Sequence, residues 1–360
     1  MLNREKLAID YRKSGKFLKS SFIFQGAVLT IDLGTFNSLV YRKGEGIIIK
    51  EPSVVACSSK DKKIVAVGKD ALSENSSSLK LIYPLKRGTI AYFNYCVELL
   101  SALIKKGLKG FKVYKPSVII TVPPCATQVE KKALIEAALL SGAKEAALVD
   151  TCISAALGAG VPFFDNKASL IIDIGAGRTN IAVVGVGQII KECSISIGGE
   201  SFTSSIQHFF KRRYGLLISK DHAEKIKLSC ASAVERKDLT EKYQVSGIDL
   251  VTKLPRSQAF SPSILPKAIE LPIYTIADQI KEILEESEPE VVNDLYSQGI
   301  YLTGGGAKLK GLCQKLEEIL GLGVFLVSDP SVSVIKGAGI ITENLKEYKR
   351  FLITEESVRS

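Results

Sequence analysis

The sequence reads Ile-Asp-Leu-Gly-Thr at residues 31–35, and nearly the same pattern returns as Ile-Asp-Ile-Gly-Ala at residues 172–176. Each copy is typical of a β-strand that ends in a carboxylate and a glycine turn. Both copies are followed by an apolar strand, a glycine hairpin at residues 44–46 or 185–187, and another strand. One Asp-X-Gly recurs by chance, but the matched pair predicts an internally duplicated fold that grips phosphates between its halves.

Length and composition fit a globular protein of two domains. The chain has 360 residues, of which 46% are hydrophobic and 24% are charged. No apolar run reaches the roughly 18 residues of a membrane-spanning helix, and the N-terminus lacks a signal-type apolar core, so we expect a cytoplasmic protein. The 7 cysteines show no Cys-X-X-Cys spacing, and there are 2 histidines. Reduced thiols are expected, and neither a disulfide framework nor a zinc site is supported.

Alternating strands and helices between the two copies predict an α/β fold with a largely parallel sheet. An apolar strand at residues 118–122 ends at a Pro-Pro turn. Thr127 can cap the next helix, with Glu130 three residues later as its reciprocal partner. We expect this helix to bury Leu140 and to end at Gly142.

Helical patterns are also present in the second half of the chain. They predict helices at residues 202–214, 221–229 and about 275–286, and a closing helix from Val334 onward. The polar, proline-containing stretch at residues 238–272 is expected to form a peripheral subdomain.

The glycine loops suit a nucleotide, because backbone amides at glycine turns approach phosphate oxygens without interference from side chains. Asp32 and Asp173 would repel phosphates, so we expect them to hold Mg²⁺ through its water shell. A third glycine-rich loop, at residues 304–306, could lie flat against a planar base. Glu224 and Lys227 lie three apart on a predicted helix and could reach the ribose or the base, although such a pair is ordinarily solvated.

Several stretches, in chain order, resemble the MreB family of bacterial actin homologues. They lie at residues 31–41, 51–55, 173–179, 197–202 and 302–307. The resemblance implies an actin-like α/β fold, in which two duplicated ribonuclease-H-like domains form four subdomains around an ATP cleft. It also implies homopolymers of paired protofilaments, attachment to the inner face of the cytoplasmic membrane, and work with cell-wall synthesis or morphogenesis proteins to set cell shape.

The same resemblance divides the chain and assigns its positions. The implied parts are a basic amphipathic extension (1–26), a first domain (27–167, with a peripheral subdomain at about 53–85), a second domain (168–330, with one at about 203–267), a helix returning to the first domain (331–350) and a tail (351–360). The implied nucleotide-binding residues are Gly34, Thr35, Phe36, Asn37, Gly175, Ala176, Gly177, Arg178, Thr179, Glu224, Lys225, Ile226, Lys227, Gly304, Gly305, Gly306 and Ala307.

Two departures from the family pattern concern hydrolysis and charge. Where the family usually has Glu-Glu-Pro, this chain has Asp150-Thr151-Cys152, and the second glutamate of the family polarises the attacking water. Because a threonine hydroxyl is a poor base, we expect water activation to be weaker by about 10²- to 10⁴-fold. Asp150 could substitute only if the backbone is shifted, since neighbours on an extended segment point to opposite faces. Arg178, where the family commonly has threonine, adds a cation beside the phosphates that could tighten binding or partly replace the charge of magnesium.

Membrane attachment is expected from a basic tail and one loop. The net charge is +10, and lysines and arginines outnumber acids in the first 25 residues. Nucleic acid is a poorer candidate partner than an anionic membrane, since no nucleic-acid-binding motif accompanies this charge. A solvated extension is the alternative. The resemblance adds the loop at residues 107–115. The expected membrane residues are Phe17, Leu18, Phe22, Ile23, Phe24, Leu108, Phe111, Val113 and Tyr114.

Three functions are compatible with these features. The leading hypothesis is a polymer switched by ATP, with weakened hydrolysis. The second is a catalytically silent scaffold filament that binds ATP without turnover. The third is a small-molecule kinase of the same fold. The length of the chain argues against it, because there is no room for a large substrate-binding insertion.

Overall fold

The structure is a computed structural model that describes residues 26–74, 78–110, 115–235 and 242–359. The strands in these ranges are β1 (Val28–Leu33), β2 (Asn37–Arg42), β3 (Gly46–Pro52), β4 (Val55–Ser58), β5 (Ile64–Val67), β6 (Leu79–Ile82), β7 (Leu85–Lys86), β8 (Thr89–Ile90), β9 (Ser117–Val122), β10 (Glu145–Asp150), β11 (Ser169–Ile174), β12 (Thr179–Gly185), β13 (Gln188–Ile195), β14 (Leu216–Leu217), β15 (Tyr243–Asp249), β16 (Pro255–Phe260), β17 (Ile300–Thr303), β18 (Val324–Leu326) and β19 (Leu352–Thr354).

Helices alternate with these strands. They are α1 (Lys69–Ser73), α2 (Phe93–Gly107), α3 (Gln128–Leu140), α4 (Thr151–Ala159), α5 (Gly199–Tyr214), α6 (Lys220–Cys230), α7 (Leu265–Glu285), α8 (Pro289–Gln298), α9 (Leu312–Leu320), α10 (Ser333–Glu343), α11 (Leu345–Tyr348) and α12 (Glu355–Arg359). Among the described residues, no helix combines the length and the apolar character needed to cross a bilayer.

Two central sheets carry the duplication. The sheet of the first lobe, which contains β1 to β10 and β19, has the strand order β19-β10-β9-β1-β2-β3. That of the second lobe, which contains β11 to β18, has the order β13-β12-β11-β17-β18. In each, the strand of the repeated motif pairs antiparallel with the next strand and parallel with a later one. Asp32 lies opposite Leu39 in the first sheet, and Asp173 lies opposite Asn180 in the second. The two carboxylates therefore occupy equivalent register positions.

Smaller sheets extend each lobe. Strands β4, β5 and β6 form one beside the first lobe, and β14, β15 and β16 form one beside the second. Apolar residues of the central strands, such as Ile31, Ile120 and Ile172, are fully buried because helices cover these sheets.

The two lobes meet where α4 crosses α10. A Cβ atom on Gly158 would lie 1.8 Å from the Ser333 carbonyl oxygen, and one on Gly337 would lie 1.7 Å from the Ser154 carbonyl oxygen. Glycine at both positions therefore lets the two helix backbones touch. This crossing joins the core of the first lobe to that of the second.

The structure confirms some sequence expectations and overturns others. The capping box of Thr127 and Glu130 is present at the start of α3. Leu140, expected in the core, is 62% exposed, because it lies at the last turn of that helix, where the chain turns outward. Residues 351–359, expected as a tail, form β19, which pairs antiparallel with β10, and α12.

Helix α7 begins earlier in the chain than the sequence pattern predicts. The helix begins at Leu265 and contains Pro272, which the sequence places in a peripheral subdomain. A proline inside a helix removes one backbone hydrogen bond. Here the loss is offset by packing, since Ile269, Ile273 and Ile276 line one buried face across the proline.

Candidate functional site

The first glycine loop joins β1 to β2. A Cβ atom on Gly34 would lie 2.5 Å from the Asn37 carbonyl oxygen, so the turn accepts only glycine. Ser53 supports the loop through two hydrogen bonds. Its hydroxyl donates to the Gly34 carbonyl at 2.6 Å, and its backbone amide donates to the Phe36 carbonyl at 2.9 Å. Thr35 and Asn37 lie half-buried in the loop, whereas Phe36, expected in the same segment, is 54% exposed.

The second loop, between β11 and β12, is built in the same way. The Gly175 amide donates to the Arg178 carbonyl at 2.8 Å and closes the turn. The start of α5 supports it, since the amides of Gly199 and Glu200 donate to the carbonyls of Gly175 and Ala176 at 2.9 Å and 2.8 Å. The matching supports explain why both flanking stretches, residues 51–55 and 197–202, accompany the loops in the sequence.

The rest of the second segment, Gly177, Arg178 and Thr179, packs against or bonds to neighbouring parts of the protein. Gly177 is buried, and the Thr179 hydroxyl donates to the Ile197 carbonyl at 2.7 Å. The Arg178 side chain is directed back toward the protein, and its Nη1 donates to Ser194 Oγ at 3.0 Å.

Asp32 and Asp173 lie close enough together for the charge of one to act on the other. Burial raises the pKa of Asp32, against a hydrogen bond from Thr121 Oγ1 at 2.8 Å. Burial and then the charge of Asp32 raise the pKa of Asp173 to about 7, while Asn180 Nδ2 donates to Asp173 Oδ2 at 3.3 Å. Raised pKa values mean that ionising these two carboxyl groups is costly. A cation beside them lowers that cost, because it offsets the repulsion between the two charges and part of the cost of burying them.

The third glycine loop packs directly on the second. A Cβ atom on Gly304 would lie 2.3 Å from the Ile174 carbonyl oxygen and 2.6 Å from Asp173 Oδ1. One on Gly306 would lie 2.5 Å from Ile174 Cγ2, whereas Gly305 has open space around it. Ala307 is buried below the loop.

Helix α6 places part of the segment at residues 224–227, which is expected to bind the nucleoside, beside the second loop. Lys227 Nζ contacts the Glu224 carboxylate at 2.8 Å and the Gly199 carbonyl oxygen at 2.9 Å. Ile226 faces the core of the second lobe, and Lys225 is exposed. Only Glu224 and Lys227 of this segment therefore have side chains beside the second loop.

The position expected to activate water lies where β10 passes into α4. Thr151 is buried at the first position of the helix, and its hydroxyl donates to the Val122 carbonyl at 3.0 Å. Asp150 caps the helix, because its Oδ1 accepts from the amides of Cys152 at 2.6 Å and Ile153 at 3.2 Å. The Thr151 proton is thus committed to the backbone, and the Asp150 carboxylate is engaged as a cap.

A second carboxylate, Glu192, lies near Asp150 across the lobe boundary. Burial and then the charge of Asp150 raise the pKa of Glu192 to about 7, while Lys131 opposes the rise. Burial likewise raises the pKa of Asp150 to about 6. Within the described ranges, Glu192 Oε2 is buried without a hydrogen-bond partner. The two lobes therefore share a carboxyl pair, Asp150 and Glu192, at the N-terminal end of α4.

Sequence reasoning missed the residues that support the site from behind. Ser53, Ser194 and Glu192 carry no motif of their own. A signal was present for Ser53, which belongs to the family-like stretch at residues 51–55. None was present for the other two, because their roles depend on which face of β13 meets the first lobe.

The expected membrane residues are largely beyond what the structure describes. Leu108 is half-buried and packs against the core of the first lobe, since it directly follows the buried C-terminal turn of α2. The others lie outside the described residues; they are Phe17, Leu18, Phe22, Ile23, Phe24, Phe111, Val113 and Tyr114.

The geometry fits a magnesium nucleotide. The donor set suits phosphates, with glycine-turn amides on both sides of the cleft. The two neighbouring carboxylates, Asp32 and Asp173, suit a hydrated divalent cation. The closely packed positions Gly304 and Gly306 leave a flat backbone surface where a side chain would otherwise project.

Comparison with known proteins gives matches over nearly the whole chain. The MreB/Mbl protein family matches residues 26–350. The cell shape-determining protein MreB of Escherichia coli strain K12 is 36% identical over 336 residues, which cover 91% of this chain and 96% of that protein. The cell shape-determining protein Mbl of Bacillus subtilis strain 168 is 37% identical over 324 residues, which cover 89% and 97%.

Solved structures show the same architecture. MreB5 of Spiroplasma citri bound to AMPPNP superposes with a TM-score of 0.82 at 29% identity, covering 90% of this chain and 98% of that one. Its ADP-bound form gives 0.84 at 28% identity, with the same coverage. The MamK double helical filament gives 0.72 at 22% identity, covering 88% and 98%, and bears on the fold alone. The expected actin-like fold is confirmed.

Proposed function

This chain belongs to the MreB/Mbl family, and from that premise we propose that it is an ATP-binding cytoskeletal protein that polymerises and determines or maintains cell shape. The relatives in Escherichia coli and Bacillus subtilis are named for cell-shape determination, which supports the role. One observation carries the nucleotide part of the proposal. Three glycine loops, around Gly34, Gly175 and Gly304, converge on the neighbouring carboxylates of Asp32 and Asp173.

ATP with Mg²⁺ is the proposed ligand. MreB5 of Spiroplasma citri, which is similar over most of its length, binds AMPPNP and ADP. In this chain, the loops at residues 34–37 and 175–179 would take the phosphates, and the loop at 304–307 with Glu224 and Lys227 would take the nucleoside. When bound, the nucleotide supplies a hydrolysable phosphoanhydride and a charge that draws the lobes together.

Hydrolysis is proposed to be slow. Thr151 donates its proton to the Val122 carbonyl, so only its lone pairs could orient a water. Asp150 is held at the helix end by two amides and is poorly placed to act in its stead. The same arrangement supports the second candidate, a scaffold filament that keeps ATP without turnover.

Filaments at the membrane are the proposed working form. They would be homopolymers of paired protofilaments on the inner face of the cytoplasmic membrane, where they meet cell-wall synthesis or morphogenesis proteins. The basic, apolar N-terminal segment supports the membrane part. Deleting residues 1–25 should lower co-sedimentation with anionic liposomes several-fold, and unchanged binding would remove this segment from the proposal.

The direct test is assembly of the purified full chain with ATP and Mg²⁺, followed by pelleting, electron microscopy and phosphate release. We expect filaments and slow release. Asp173→Asn should weaken Mg²⁺-dependent ATP binding about tenfold, whereas Asp165→Asn, an exposed matched control, should not. Failure to bind ATP or to assemble would contradict the proposal. ATP consumption that requires an added sugar or acid would favour the kinase instead.

A further inference from the structure

A tight turn of the first lobe lies between the two phosphate loops. It joins β7 to β8 and consists of Arg87 and Gly88. The Gly88 amide donates to Thr35 Oγ1 in the first loop at 2.9 Å. On the other side, Arg178 Nε in the second loop donates to the Arg87 carbonyl at 2.7 Å. The turn thus connects both loops and, through them, both lobes.

The packing around this turn is tight. A Cβ atom on Gly177 would lie 2.9 Å from Arg87 Cα and 3.0 Å from Thr35 Oγ1. One on Gly88 would lie 3.1 Å from Arg178 Nε. Arg87 has a φ of 51°, in the left-handed region that residues with side chains seldom adopt. Because that conformation has a cost, the contacts on both sides must stabilise the turn.

Arg178 is also oriented from within the second lobe. Its Nη1 donates to Ser194 Oγ at 3.0 Å, and Ser194 Oγ donates to Asn180 Oδ1 at 2.7 Å. Asn180 Nδ2 in turn donates to Asp173 Oδ2 at 3.3 Å. The planar guanidinium can make both of its bonds at once, so one side chain spans the distance from this relay to the first lobe.

We propose that Arg178 is a latch that holds the two phosphate loops together without a nucleotide. A nucleotide closes a cleft only as far as it favours the closed form over the open one. In this chain, Arg178 and the Arg87–Gly88 turn already join the loops, so the protein itself supplies part of the closing free energy. The consequence rests on the polymerisation proposed above: assembly depends only weakly on nucleotide.

The test compares assembly of the full chain with ATP and Mg²⁺ and after complete nucleotide removal. The wild-type critical concentrations should differ by less than about threefold. Arg178→Thr removes a charge-assisted bond between the lobes, so it should raise the nucleotide-free critical concentration about tenfold, and by a larger factor than the critical concentration measured with saturating ATP. Arg178→Lys keeps the charge but loses the planar guanidinium that donates in two directions at once, and it should behave like the threonine variant. Arg212→Thr, at an exposed position near the end of α5, is the matched control.

Small-angle scattering of dilute, unassembled protein gives a second readout. Without nucleotide, Arg178→Thr should have a larger radius of gyration than wild type, and saturating ATP with Mg²⁺ should reduce the difference. The latch is overturned if wild type assembles only with ATP, or if the threonine variant assembles and scatters like wild type without it. Wild type that assembles in neither condition would overturn the proposed function instead.

Discussion

Thr151 is the residue that most directly limits the chemistry of the proposed site. It is buried at the start of α4, and its hydroxyl donates to a backbone carbonyl. A side chain in this position can help to place a water but cannot take its proton near neutral pH. Restoring a carboxylate at this position therefore tests whether the rest of the machinery is intact.

Thr151→Glu should raise phosphate release from assembled protein by about 10²-fold, because a carboxylate can act as the missing base. An acidic residue is also favourable in the first turn of a helix. The measurement is phosphate release per polymerised subunit. Thr151→Gln has the size without the basicity and should leave the rate unchanged. A rise with glutamine as large as with glutamate would argue against base catalysis, and no rise in intact filaments would favour the silent scaffold.

Glu192 gives the protein a pH dependence. Its pKa in the folded chain is raised to about 7, whereas the pKa of a glutamate in an unfolded chain is about 4.3. Between these values the folded state keeps a proton that the unfolded state releases, so this residue's contribution to stability falls as the pH rises toward 7. Its surroundings are mixed in charge, with Asp150 raising its pKa and Lys131 lowering it.

Glu192→Gln should therefore stabilise the protein at pH 8 by about 1–2 kcal/mol and have little effect near pH 4.5. Urea unfolding at both pH values measures the difference. Glu136→Gln, at an exposed position on α3, should change stability equally little at either pH. A benefit from Glu192→Gln that does not depend on pH would contradict the assignment.

Residues of the loops could be predicted, while those behind them could not. The two Asp-X-Gly motifs identify Asp32, Gly34, Asp173 and Gly175, because a turn that requires glycine is recognisable in the sequence. Glu192 belongs to no such motif. Successive side chains of β13 point to opposite faces, but the sequence does not reveal which face meets the first lobe. The proximity of Glu192 to Asp150 therefore follows from tertiary packing alone.

Among the elements, α4 contains a residue, Asp150, whose role is structural although the sequence suggests it as a substitute base. Asp150 is the N-cap of this helix and accepts from two of its amides. Caps of this kind typically contribute about 1 kcal/mol. That role accounts for an acid at this position without any catalytic task.

Asp150→Ala should destabilise the protein by about 0.5–2 kcal/mol, whereas Asp150→Asn should retain most of the cap. Denaturation in urea measures both. If Asp150 acted as the substitute base, the asparagine variant would lose phosphate release by about 10²-fold or more. We expect instead that its rate stays close to wild type.

Element prediction succeeded where local signals agree and failed where packing overrides them. Thr127 and Glu130 identify the start of α3 because a capping box is a local feature. Pro272 is a local signal against a helix, yet α7 continues through it. The buried face around Ile269 and Ile273 outweighs one lost hydrogen bond, and that face becomes visible only when the second lobe is assembled.

At the scale of the whole molecule, the lobes are joined by the crossing of α4 and α10. Their backbones touch at Gly158 and Gly337, where any Cβ would overlap a carbonyl oxygen. Interiors packed this closely do not absorb an added methyl group without moving a backbone. The crossing therefore fixes the separation of the two sheets.

Gly158→Ala should cost about 3 kcal/mol or more, because its Cβ would lie 1.8 Å from the Ser333 carbonyl oxygen and the helices must separate. Thermal and urea unfolding measure the loss. Gly305→Ala is the control, since nothing lies within 4 Å of its Cβ position. A cost below about 1 kcal/mol would mean that the crossing yields easily.

The return of the chain to the first lobe has a consequence for its synthesis. The second lobe is continuous from β11 to β18, whereas the sheet of the first lobe takes its edge strand β19 from the far side of it. Val358 also belongs to the core of the first lobe. On the ribosome, the second lobe can fold while the first still has the edge of β10 open and part of its core unfilled. Translation speed over the codons for residues 333–359 therefore sets how long a nascent chain stays exposed to aggregation and to chaperones.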